Sequence, residues 1–387
     1  MILIAPVTIT DAMLTSTDVA EADYAEFAMN TTYAVGDRVM DSTGVEILTL
    51  DVAPATAWVK NRLITGQTSA KTCRVVAKLT NTTYQVRERS GAFTLGEVIG
   101  VTGTPTELAD QGAAFPTFTA PTDKVHKIYE SLAAANLSNY PPTDVLVVVP
   151  KWVEVSATNR WKIFDQVVGT QTEKATSFTY RLTPGQVINA IAFINMDCAE
   201  ITITQTDPVE GIVYSATKSM IVTVITGAAI VTDWYTYFFS SGLKVLDYVD
   251  FNIPPYLNSY FDITVSYPLG TAKAGVIILG MQTIIGTTRY SPSVGIQDYS
   301  IKTQDAWGNY TITQRAFSKR LSASLRMPNE SVSEIQRILA LYRATPVVWV
   351  ASNLYSALIV YGFYKDFNIV IPYPNYADCS IEIEGLT

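Results

Sequence analysis

The sequence predicts a mainly β protein built from several β domains, and three observations carry that expectation. Short runs alternate apolar and polar residues, as in "AEITITQ" (Ala199–Gln205), "SFTYRL", "FDITVSY" and "CSIEIEGL", the period of a strand with one buried face. Clusters of Gly, Pro, Asn and Asp separate those runs and supply the turns between strands. Tyr is unusually frequent at 22 residues, beside 14 Phe and 6 Trp, and aromatic side chains suit a pleated, half-buried surface.

A single strong helix interrupts this texture, expected over residues 331–343. In "PNESVSEIQRILALYRATP" Ser331 precedes Glu334 by three positions, the spacing of a capping box. Val332, Ile335, Ile338, Leu339 and Tyr342 recur at helical intervals and are expected to form one buried face. Thr345-Pro346 closes the helix.

At 387 residues the chain has material for roughly two to four domains. Residues 1–23 read as an extended N-terminal arm, strand-like in "MILIAPVTIT" but without a local hairpin partner. That arm is expected to fray in a monomer and to add to the sheet edge of a neighbouring copy. Residues 24–40 and 125–155 read as two halves of one hairpin module: "YAVGDRV" calls for a partner strand of the kind found far downstream in "KIYESL". Residues 41–124 between the halves form an inserted, self-contained β-barrel-like domain. Loop-closure entropy grows slowly with length, so such an insertion is tolerable. Residues 156–290 suggest a jelly-roll-type sandwich, and 291–387 an α+β unit carrying the helix.

Charge and motif content narrow the function classes. The net charge is −8 and no basic run exceeds two residues, which disfavours nucleic acid as a partner because phosphate neutralisation needs a basic stripe. The start lacks a basic n-region and no apolar stretch reaches 18 residues. No signal peptide and no membrane insertion are therefore expected, and the chain reads as soluble and made in a cytoplasm. Cys73, Cys198 and Cys379 are widely spaced and read as buried thiols. The single histidine, His126, leaves no multi-histidine metal site and points to a structural or exposed role. "DAWGNYT" (Asp305–Thr311) lacks the ligand spacing of a calcium loop and reads as a hairpin turn. Glu382 and Glu384 share one face of a strand, the ordinary solvated face rather than a catalytic pair. No enzyme and no cofactor are expected.

The segments "NTTYAVGDRVM", "HKIYESLAAANLSNYPP" and "KWVEV" together resemble the small chitin-binding modules of family 5/12 type, at Tyr33, Gly36, Asp37, Tyr129, Glu130 and Trp152. The inserted residues 41–124 depart from that pattern. From "SATNRWKIFDQ" through "SFTYRLTPGQVINAIAFINMDCAEITIT", and again in "VGIQDYSIKTQDAWGNYTITQRAFSKR" and "LIVYGFYKDFNIVIPYPNYADCSIEIEGL", the chain resembles virion proteins of tailed bacteriophages that place such a module before a jelly roll, a resemblance spanning residues 24–40 and 125–387. The resemblance implies a structural, homo-oligomeric component of the tail, tail tip, neck or fibre attachment. Its partners would be copies of itself and other tail or neck proteins. A host-glycan-binding adhesion protein, serving host attachment, is the alternative, with a polysaccharide depolymerase less supported.

Two groups of aromatic residues follow as candidate sites. Tyr33, Tyr129 and Trp152 either stack on a host surface glycan or form the core of the small module. "DWYTYFFSSG" places Trp234, Tyr235, Tyr237, Phe238 and Phe239 on both faces of one strand, as a subunit interface would require.

Overall fold

The structure is a computed structural model that describes residues 1–387 apart from 102, 122–123, 223–242 and 306. The fold is mainly β, and it divides into two units: Met1–Ala20 with Asn159–Thr387, and Glu21–Thr158. The arm, the sandwich and the C-terminal segment, expected as separate domains, thus belong to one unit.

That unit is organised by one strand of 25 residues, Tyr260–Ile284. Its first half alternates, with Phe261, Ile263 and Val265 buried between polar neighbours, and pairs with Glu200–Asp207 on one edge and Thr172–Leu182 on the other. Its second half is buried on both faces. Ile277 and Leu279 enter the core of the sandwich, whereas Val276 and Ile278 enter a second cluster shared with Val348 and Tyr361. A continuous apolar run is what a doubly covered strand requires.

The N-terminal arm does not fray. Ile2–Pro6 pairs antiparallel with the end of the long strand, Ile2 opposite Ile284 and Pro6 opposite Gly280. On its other edge Ile2, Leu3 and Ile4 lie opposite Val350, Trp349 and Val348. Leu3 and Ile4 are completely buried in clusters on opposite faces. The expected addition to a neighbour's sheet is therefore replaced by a central position in the chain's own sheet. The register demands a glycine beneath it: a Cβ at position 280 would lie 2.0 Å from the Ala5 carbonyl oxygen.

Beyond the arm the sheet continues through Val347–Val350, Ile359–Tyr373, Tyr376–Gly385 and Phe317–Pro328. The helix spans Val332–Leu341 and covers this part with Ile335 and Leu339 buried, and with Val332 and Tyr342 at the margin of the core. Ile338 is only half-buried and stands outside that core, contrary to expectation. The capping box also fails to form. Ser331 closes a short 3-10 turn, Asn329–Ser331, and its own backbone is already helical (φ −85°, ψ −7°), so its side chain makes no cap bond.

The second unit holds the split module and the inserted strands together. Seven short strands of the insert form an antiparallel sheet whose order runs from Ala109–Asp110 to Thr117–Thr119. They enclose Leu48, Trp58, Ile64, Val75, Tyr84 and Ile99. The insert is not self-contained: Val76 is buried in the core of the module, beside Phe27, Tyr33 and Trp152.

Candidate functional site

The two halves of the module meet as neighbouring strands. Arg38–Asp41 pairs antiparallel with Lys127–Ser131, Val39 opposite Tyr129 and Arg38 opposite Glu130. Trp152–Ala157 pairs with the other edge of Lys127–Ser131. The turn before Arg38 is set by Gly36 at φ +87°, a conformation costly for a residue with a Cβ. Asp37 completes it by accepting from the Ala34 amide at 2.7 Å. Main-chain bonds from Gly36 N to Ser131 O (2.8 Å) and from Ser131 N to Asp37 O (2.9 Å) then lock the turn to the distant strand.

The rings expected to offer a sugar platform are the core of this module. Tyr129 and Trp152 are 1% exposed and Tyr33 8%. Tyr33 stacks on Phe27 at 5.7 Å between centroids and meets Trp152 edge-on at 5.2 Å. The polar atoms of two of them are also occupied: Trp152 Nε1 donates to Asn139 O at 2.8 Å, and the Ala28 amide donates to Tyr33 Oη at 2.9 Å. A module this small has few other side chains to bury, so its aromatics supply the core, and no open ring face remains for a glycan.

A buried polar clasp lies where the insert leaves the module. Asp41 ends the strand Arg38–Asp41, and Arg87 ends Thr83–Arg87 of the insert. Arg87 Nη1 donates to Asp41 Oδ1 at 2.7 Å, while Nη2 donates to Glu26 Oε1 and Thr43 Oγ1, both at 2.8 Å. The guanidinium lies over the rings of Tyr140 (5.0 Å) and Phe27 (5.6 Å). Tyr140 Oη donates to Asp41 Oδ2 at 2.5 Å. Burial pushes the Tyr140 hydroxyl pKa upward, and the neighbouring Asp41 carboxylate pushes it further. Burial would discharge Arg87, but Asp41, Tyr140 and Glu26 hold its pKa above the usual value. A depression of about 450 Å³ borders the clasp. Its arginines are both paired, Arg89 with Glu46 at 2.7 Å, so the arrangement joins strands and leaves neither guanidinium without an anionic partner.

Other candidate chemistry resolves into structural bonds. His126 is buried and its Nδ1 lies 2.9 Å from Glu21 Oε1, which also accepts from Thr158 Oγ1 at 2.7 Å. Glu382 is bonded to Arg320, and Glu384 accepts from Tyr299 Oη at 2.9 Å. The three cysteines are buried free thiols, and burial pushes Cys73 and Cys198 up to about 12 and Cys379 to about 11. Asp305 accepts from the Trp307 and Asn309 amides (2.9 and 2.8 Å), closing a hairpin turn between Ile301–Gln304 and Tyr310–Thr313. No group of three or more His, Cys, Asp and Glu side chains among the described residues is placed to hold a metal ion. No described helix is long and apolar enough to cross a membrane. The aromatic run Trp234, Tyr235, Tyr237, Phe238 and Phe239 lies outside the described residues.

Two exposed apolar features escape sequence reasoning. The hairpin Ile301–Gln304/Tyr310–Thr313 has every strand residue exposed, with Tyr310 and Ile312 near two-thirds exposed and Trp307 at its tip 88% exposed. The run Leu146–Val149 projects as a loop rather than a strand, and the signal that marks it is four apolar residues in succession just before Pro150. No family model matches the chain, and no curated protein matches it.

Proposed function

We propose that the chain is a non-enzymatic structural component of a tailed-phage virion, acting as a homo-oligomer in the tail, tail tip, neck or fibre attachment. The observation that carries this reading is the split hairpin, with Val39 opposite Tyr129 across an inserted sheet. It falls in the segments through which the sequence resembles such virion proteins. The exposed hairpin Ile301–Thr313 supports the oligomer. An isolated two-stranded hairpin is marginal in water, and its exposed Trp307, Tyr310 and Ile312 suit a layer supplied by a neighbouring subunit. The activity in this reading is mechanical: the chain holds shape and fastens neighbours, tail or neck proteins among them. The adhesion alternative loses its proposed platform, because Tyr33, Tyr129 and Trp152 are buried.

Antibodies raised against residues 41–124 and carried on gold test the reading on intact phage particles. Regular labelling at one level of the tail or neck is expected. Particles that infect normally but carry none of the chain would overturn it.

A further inference from the structure

One apolar cavity carries an ion pair in its wall. The cavity, of about 200 Å³, lies in the unit containing Asn159–Thr387 and is lined by Val168, Ile194, Leu246, Phe317, Val360 and Leu386. Asp247 and Lys319 stand among these side chains and are bonded to each other. The Asp247 side chain is 3% exposed and that of Lys319 33%. Asp247 Oδ1 also accepts from the Asn195 amide at 2.9 Å, so both carboxylate oxygens are engaged. Desolvation offsets much of the attraction within a buried pair, so stability is a poor reason for placing one in an apolar wall. Recognition is a better one: a concave apolar site with a few placed polar groups is the ordinary form of a small-molecule site.

Size, surface and charge together select the ligand. A cavity of ~150 Å³ holds benzene, so this one takes a single ring, or an aliphatic body of that size, with a short substituent. Leu246 and Phe317, about half exposed, carry the apolar surface out to solvent and give the ligand a way in. The ion pair is neutral as a whole, so a charged guest would be desolvated without a counter-charge of its own. An ammonium group has three donors, and the bond to Asp247 uses one of those on Lys319. The polar function left to meet is therefore a donor, and its complement is one acceptor oxygen on an otherwise apolar molecule.

We propose that this cavity binds a small neutral molecule with an apolar body and one carbonyl-type oxygen, such as a simple ketone, ester or amide. The apolar body lies against Val168, Ile194 and Val360, and the oxygen accepts from Lys319 Nζ. Asp247 holds the ammonium in place and cancels its charge, which turns the site away from carboxylates. This site goes beyond the structural role proposed above and does not depend on it.

Fluorine NMR titrations of the full chain with three probes test this: para-fluoroacetophenone, para-fluorocumene and para-fluorobenzoate. The ketone is expected to give a saturable shift. The cumene has the same shape without the acceptor oxygen and should bind about tenfold more weakly, the worth of one hydrogen bond to a charged donor. The benzoate should also bind more weakly than the ketone. Leu246→Trp, which fills the mouth, should abolish the shift, and Leu246→Ala, a milder change at the same half-exposed position, should weaken binding; circular dichroism melts check that both variants fold. No saturable ketone shift overturns the inference, as does a shift that both Leu246 variants leave unchanged. A cumene that binds as tightly as the ketone overturns the role given to Lys319, and a benzoate that binds more tightly makes the site one for anions. The virion reading survives each of these results, because the gold labelling tests it separately.

Discussion

Arg87 and Asp41 form an ion pair at 2.7 Å with both side chains almost completely closed to solvent. One belongs to the inserted sheet and the other to the module it interrupts. Removing one partner leaves the other charged and buried, at a cost of about 3–5 kcal/mol. Arg87→Ala is therefore expected to destabilise the unit Glu21–Thr158 by that order. Adding Asp41→Asn should recover part of the loss, as read from urea unfolding of both variants.

Excising residues 42–124 behind a short glycine turn has a related outcome. The deletion removes Arg87, the Gly44 amide that bonds Asp41 at 3.1 Å, and the Val76 side chain from the module core. A lower melting temperature and poorer solubility are expected, with partial recovery on Asp41→Asn. A deletion that melts like the wild type would show that the clasp contributes little.

The register of the N-terminal strand depends on Gly280. Gly280→Ala forces a Cβ into the Ala5 carbonyl, and overpacking of this kind costs ~1–3 kcal/mol. Differential scanning calorimetry should show a lower transition temperature, whereas Gly295→Ala, where a Cβ meets nothing within 4 Å, should change little.

On the helix, Leu339→Ala should cost ~2–5 kcal/mol, since Leu339 is fully buried. Ile338→Ala should cost distinctly less, and Arg337→Ala, on an exposed position, almost nothing. Equal effects at 338 and 339 in denaturant melts would show a different buried face.

Glu97 ties the insert's turns together, accepting from the amides of Thr68 (2.9 Å), Ser69 (2.8 Å) and Thr94 (2.8 Å) and from Ser69 Oγ (2.9 Å). Burial pushes its pKa up, but the bonds from Ser69, Thr94 and Thr68 outweigh that and hold it below the usual value. A depressed carboxylate pKa adds stability above its unfolded value, about 4.3, and loses it as pH falls through the folded value. Glu97→Gln should thus melt lower than wild type at pH 7, with the gap narrowing below pH ~4.

The pairing of Arg38–Asp41 with Lys127–Ser131 is legible in the sequence because each half carries half of a recognisable hairpin, including the Gly36-Asp37 turn. The place of Ile2–Pro6 is not legible. An apolar strand without a local partner looks the same whether it pairs within its own chain or with another, and the only trace is a glycine at position 280. The buried face of the helix is misjudged by one position for a similar reason. Periodicity gives Ile338 and Leu339 equal claim, and only Leu339 is buried in the core. The Asp41–Arg87 clasp leaves no local mark, since single charges at strand ends ordinarily read as solvated. Tyr33, Tyr129 and Trp152 show the opposite ambiguity: the same rings serve as a platform or a core, and the size of the module determines which.

The central position of Ile2–Pro6 has a consequence for synthesis. Both of its strand neighbours, Tyr260–Ile284 and Val347–Val350, leave the ribosome only after the whole of the segment up to Ser259 has been made. At about 5–20 residues per second the first strand waits on the order of tens of seconds with both edges unpaired. Glu21–Thr158, whose paired strands all fall within that segment, can close meanwhile. On a polysome, several nascent copies carry the same waiting strand at high local concentration. Late closure onto its own chain then competes with exchange into a neighbour's sheet, and crowding of nascent chains sets the ratio between the two products.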